Sequence, residues 1–188
     1  LSAKKISQPL AWQRFNKALL NHQYVLARYL QRYLKDDQYK ALAKRYYNVD
    51  RDPQLIKQFA EYNLHSDEEL RIIEHGLVHL AKKNGHATLK AWSHYQQTHE
   101  FSHGARSKIV SAIIKGLYQQ DFSSIADAYF VDHLQLLNQT TDGALTEWRI
   151  RQALKQRDWL AVQRWIERLP KAKRENTAWR YWAIRSRE

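Results

Sequence analysis

Two short histidine patterns are the places where this chain could do chemistry. His99-Glu100-Phe101-Ser102-His103 fits H-E-x-x-H. On an α-helix that pattern sets two imidazoles one turn apart to hold Zn²⁺ while the glutamate acts as base toward the metal-bound water. Such a site needs a third ligand and unbroken helix through the motif. Here the next glutamate is Glu147, Arg106 stands where the extended motif has glycine, and Gly104 favours a helix end inside the motif. The expectation is therefore a polar helix end and turn, with no metal held. His75 and His79 share the same one-turn spacing and are assigned to a solvent-facing edge. Without a single cysteine there is no disulfide framework, thiolate metal site or thiol nucleophile. No residue is assigned as catalytic, ligand-binding or metal-binding, and no cofactor is expected.

The elements that would position these groups are helical. Only 5 Gly and 3 Pro occur in 188 residues, and Ala, Leu, Gln, Lys and Arg are abundant. No stretch alternates at period two. Apolar residues recur instead at three- and four-residue steps, as in Leu70, Ile73, Leu77 and Leu80, or Ile109, Ala112, Ile113 and Leu117. Breakers punctuate the pattern at Pro9, Asn48 to Pro53, Asn84-Gly85, Ser102 to Gly104, Thr140 to Gly143 and Pro170. A hydrophobic fraction of 44% with 12% aromatic residues excludes a disordered chain. No apolar run approaches the roughly 18 residues of a membrane span, and the start has neither methionine nor a signal-peptide core, which predicts a processed protein or an excised segment.

The helices repeat. Residues 12–34 and 148–170 each run from a Trp through Ala-Leu to a short polar turn, a Gln or Asp, an aromatic and a second helix. Residues 111–130 form a third copy, with Asp121 before Phe122. The polar residue before the aromatic is expected to cap the second helix or to sit as an acid in its first turn. Adding Asn84-Gly85 gives helical hairpins turning near 21, 84, 120 and 156. The fold class is thus all-α: a right-handed superhelical solenoid of about ten short helices, in which each hairpin buries its apolar stripe against its neighbours. Trp148, Trp159, Trp165, Trp179 and Trp182 fall at repeating hairpin positions and are expected to fill the wedges between helices.

The last hairpin carries the strongest family signal. The run Arg149-Ile150-Arg151-Gln152-Ala153-Leu154, then Asp158-Trp159, Leu169-Pro170 and Trp179-Arg180-Tyr181-Trp182, resembles the superhelical region of the soluble lytic murein transglycosylases of Gram-negative bacteria. The resemblance implies a single U-domain-like segment over residues 1–188, cut before the L and catalytic domains. It implies a periplasmic parent enzyme that cleaves the MurNAc–GlcNAc β-1,4 bond of peptidoglycan and leaves a 1,6-anhydro end. That family's acid and base is one glutamate in a Glu-Ser motif followed by Gly-Leu-Met-Gln, because a protonated carboxyl must assist the leaving oxygen first. Neither motif is present: the Gly-Leu pairs, Gly76-Leu77 and Gly116-Leu117, lie inside helical patterns. The resemblance implies a scaffold that shapes a ring and guides murein strands, with its own L and catalytic domains as further partners.

The net charge of +12 fits that reading, since the stem peptides of peptidoglycan carry carboxylates. The basic residues load most heavily from Arg149 to Arg187 but run along the whole chain. No nucleic-acid-binding motif accompanies them, so no nucleic-acid partner is assigned. A TPR-like peptide-binding scaffold and an H-E-x-x-H zinc hydrolase are the alternatives from other classes.

Overall fold

Scarce glycine and proline leave helix as the default, and helix fills the molecule. A computed structural model describes residues 6–21 and 23–187. Among the described residues there are twelve α-helices, three 3-10 turns and no strand. The fold is all-α. The helices are α1 (Gln8–Leu20), α2 (Tyr24–Leu30), α3 (Asp37–Arg51), α4 (Asp67–Lys83), α5 (Gly85–Thr98) and α6 (His103–Gln119). They continue as α7 (Ser123–Asp132), α8 (Leu134–Thr141), α9 (Ala144–Gln156), α10 (Trp159–Glu167), α11 (Lys171–Arg174) and α12 (Thr177–Arg185). The count exceeds the expected ten because the stretch 123–141 divides at His133 and because Pro170 opens a separate single turn.

By internal contacts the chain forms two compact units, residues 1–79 and 80–188. In the first, Trp12 and Phe15 of α1 stack at 5.5 Å, and Phe15 meets Tyr46 of α3 edge-on at 6.5 Å. Gly76 lets α4 lie close to α3: a Cβ there would stand 2.6 Å from Val49 Cγ1. In the second unit, Ile114 of α6, Phe130 of α7, Ile150 of α9, Trp165 of α10 and Trp179 of α12 share one core.

The hairpin turns near 21, 120 and 156 share one backbone bond. The amide of Gln23 donates to Ala18 O, that of Phe122 to Leu117 O and that of Asp158 to Ala153 O. Each is a six-to-one bond of the Schellman type. At the last two, a left-handed residue, Asp121 (φ 61°) or Arg157 (φ 56°), precedes the donor. Asp158 caps α10 by accepting from Ala161 N, as expected. Asp121 does not cap α7. It is the left-handed residue itself, so Phe122 takes the cap position, with no side-chain bond there. The third copy runs one residue out of register with the fourth, and Asp, being tolerant of that region of φ and ψ, supplies the turn rather than the cap.

Gly116 marks the tightest approach in the second unit. A Cβ on it would lie 2.1 Å from Ala81 O and 3.2 Å from Gly85 Cα, both backbone atoms that no rotamer change can move. Gly85 in turn donates its N–H to Gln120 Oε1 at 3.1 Å. Gly116→Ala is therefore expected to cost about 1–3 kcal/mol despite the better helix propensity of alanine. Urea unfolding of the variant checks this, and unchanged or raised stability would contradict the close crossing.

The tryptophans divide. Trp165 (2% exposed) and Trp179 (7%) are buried, and Trp148 and Trp182 are half-buried against the same core. Trp159 departs from expectation at 42% exposed. As the first residue of α10 it lies beyond the stripe formed by Ala161, Val162, Trp165 and Ile166, so the turn that caps the helix turns it outward.

Candidate functional site

A helix break divides the H-E-x-x-H residues. Helix α5 ends at Thr98, His99 is extended (φ −152°, ψ 142°), and Ser102 caps α6 by accepting from Ala105 N. The two histidines thus sit on either side of a break, and no helical turn brings their imidazoles together. Phe101 anchors the break by inserting edge-on against Trp92 at 4.9 Å. His99, Glu100 and Phe101 instead line an open cleft of about 400 Å³ with Gln96, Gln97 and Arg106. This is the polar helix end and turn that the sequence predicts.

His75 and His79 overturn their assignment to a solvent-facing edge. His75 is 8% exposed, covered by Tyr46, whose ring stacks on it at 4.7 Å. Its Nε2 lies 2.8 Å from Asp50 Oδ1, and His79 Nδ1 lies 3.8 Å from the same oxygen. Spacing found the histidine pair. Asp50 was missed because it lies 25 residues away, in the last turn of α3.

Three buried or half-buried acids are held by cations. Glu69 pairs with Arg45, Asp127 with Arg149 at 3.0 Å, and Glu147 with Arg151 at 3.3 Å and with Lys173 at 3.7 Å. Glu147 also accepts from Trp179 Nε1 at 3.1 Å.

The basic, aromatic surface lies on α10 and α12. Trp159, Leu160, Tyr181 and Ile184 are exposed there, alongside Arg157, Arg164, Arg180 and Arg187. A shallower groove of about 260 Å³ runs between α7 and α10, lined by Asp127, Val131, Asp132, Arg164, Trp165 and Arg168. Aromatic faces beside guanidinium groups can stack on pyranose rings and pair with carboxylates.

No family model and no curated protein matches the chain. Among solved structures it is similar to the X-ray structure of an inactive mutant of the lytic transglycosylase Slt from Pseudomonas aeruginosa. The TM-score is 0.71 at 23% identity, over 96% of this chain and 28% of that one. The likeness is one of fold. It covers nearly every helix described above, and the chain spans well under a third of that protein's length.

Proposed function

We propose that this chain is a scaffold segment of a lytic murein transglycosylase: a U-domain-like, right-handed superhelical array that binds or guides peptidoglycan strands, with bond cleavage carried out by residues outside 1–188. The observation that carries the reading is the fold likeness to Slt along 96% of the chain. The charge of +12 supports it. Murein is extracytoplasmic, so the proposed location is the periplasm. Among the described residues no helix is long and apolar enough to cross a membrane. The exposed Trp159, Leu160, Tyr181 and Ile184 fit a face that takes either a following hairpin or a sugar strand.

Co-sedimentation with purified sacculi tests the reading. The chain should be retained, with retention weakening as salt screens its basic surface, and it should release no anhydro-muropeptide. Trp159→Ala should lower retention while changing stability by only about 0.5 kcal/mol, the usual range for a surface substitution. Absence of retention at low salt would overturn murein binding. Saturable capture of peptide-library members with none of sacculi would favour the TPR-like alternative, and anhydro product would place catalysis inside the chain.

A further inference from the structure

We infer that Asp50, His75 and His79 form a site for one divalent transition-metal ion of the Zn²⁺ class, clipping the last turn of α3 to α4. One ligand atom from each residue lies within 4.8 Å of the other two. Ligands about 2.0–2.1 Å from a tetrahedral ion stand roughly 3.3 Å apart, and the two Asp50 oxygen-to-nitrogen separations, 2.8 and 3.8 Å, bracket that value. The ligand set is two imidazoles and a carboxylate, which suits Zn²⁺ and its first-row neighbours. Ca²⁺ and Mg²⁺ would want oxygen throughout, and Cu⁺ would want sulfur.

The surroundings are built as a metal site is built. His75 and His79 occupy i and i+4 of α4, so one helical turn stacks their rings at 4.1 Å. The Tyr24 hydroxyl hydrogen-bonds to Asp50, orienting the carboxylate, and the Tyr24 carbonyl is itself held by the Tyr47 hydroxyl at 3.1 Å. Outer contacts of this kind fix the direction of a metal-binding carboxylate. The Asp50 and His75 side chains are 8% and 7% exposed, and His79 at 18% is the open side through which an ion enters and a water completes the fourth position. On binding, the ion takes the place of the hydrogen bond between His75 Nε2 and Asp50 Oδ1, and His75 binds as the neutral imidazole with its proton on Nδ1. Phe101 and the break after α5 deny the same role to His99 and His103.

Titration of the chelator-treated 188-residue chain with ZnCl₂, followed by calorimetry and by competition with a chromophoric chelator, tests the site. One Zn²⁺ per chain is expected, with the melting temperature raised by saturating zinc because the ion binds the folded state. Asp50→Asn and His79→Gln should each weaken binding by about tenfold or more and remove the thermal shift. His99→Ala and His103→Ala should leave both unchanged. Co²⁺ should give the visible absorption of a four-coordinate nitrogen and oxygen site in the wild type alone. Circular dichroism on both variants establishes that they are folded, and His79→Gln, the least buried position, serves if Asp50→Asn is not. Zero stoichiometry, binding that survives both substitutions, or binding lost with His103→Ala would each overturn the site.

Discussion

Replacing Trp165 by alanine should cost about 3–5 kcal/mol, the loss usual for a large aromatic removed from a packed core. Trp165 is 2% exposed and belongs to the core that α6, α7, α9, α10 and α12 share. Its ring lies 4.5 Å from Phe130 of α7, and the guanidinium groups of Arg149 and Arg168 approach its ring centre at 5.8 and 5.3 Å. Truncation therefore opens a cavity that rigid helices on three sides cannot close, and it also removes two cation–π contacts. For a chain of this length each kcal/mol lowers the melting temperature by about 2–4 °C, so a fall of about 6–20 °C is expected. Thermal melts of Trp165→Ala beside Trp159→Ala make the measurement internally controlled. Trp159 lies six residues earlier on the same helix and is 42% exposed, so its truncation should leave the melt nearly unchanged. Equal losses in the two variants would mean that α10 presents a different face to the core.

That contrast shows what was legible in the sequence and what was not. The hairpin turns near 21, 84, 120 and 156 were legible because turn formation is local: Asn84 and Asp158 cap the helices that follow them within three residues. The break in H-E-x-x-H was legible only in part: Gly104 points to a helix end, whereas α5 already ends at Thr98 and Gly104 lies in the first turn of α6, which Ser102 caps. Which tryptophan of a repeating pair is buried was not, because a residue at the first position of a helix can be turned outward by its cap. Asp121 was misread by one register position, since a left-handed turn residue and a cap residue draw on the same polar types. The Asp50 cluster was invisible because its partner lies on another helix, and only the close approach of α4 at Gly76 brings them together. The sequence pattern thus located the elements, while the tertiary pairings that make a site depended on inter-helix distances.

The second large effect concerns the charge buried beside Trp165. Arg149 is 4% exposed, and its charge is met: its Nε donates to Tyr118 Oη at 2.7 Å and to Asp127 Oδ1 at 3.0 Å, and its Nη2 donates to Asp127 Oδ2 at 3.3 Å. The Tyr118 hydroxyl donates to Asp127 in turn, closing a ring of three groups. Burial, reinforced by that hydrogen bond, pushes the Tyr118 hydroxyl well above its usual range, so it remains a neutral donor at physiological pH. The three partners are not equally replaceable. The Asp127 side chain is 27% exposed against 5% for Arg149, so an unpaired Asp127 can rehydrate whereas an unpaired Arg149 cannot. Asp127→Ala should therefore cost about 3–5 kcal/mol, the penalty for stranding a buried charge. Arg149→Met removes the buried charge and keeps much of the volume against Trp165, and should cost clearly less. The double variant should be more stable than Asp127→Ala alone, because deleting the stranded cation relieves the penalty that the first substitution created. Urea unfolding of the four proteins of this cycle reads the outcome directly. If Arg149→Met proves the more damaging single change, the guanidinium is holding α9 to α6 and α10 through its Tyr118 and Trp165 ring contacts rather than through its ion pair.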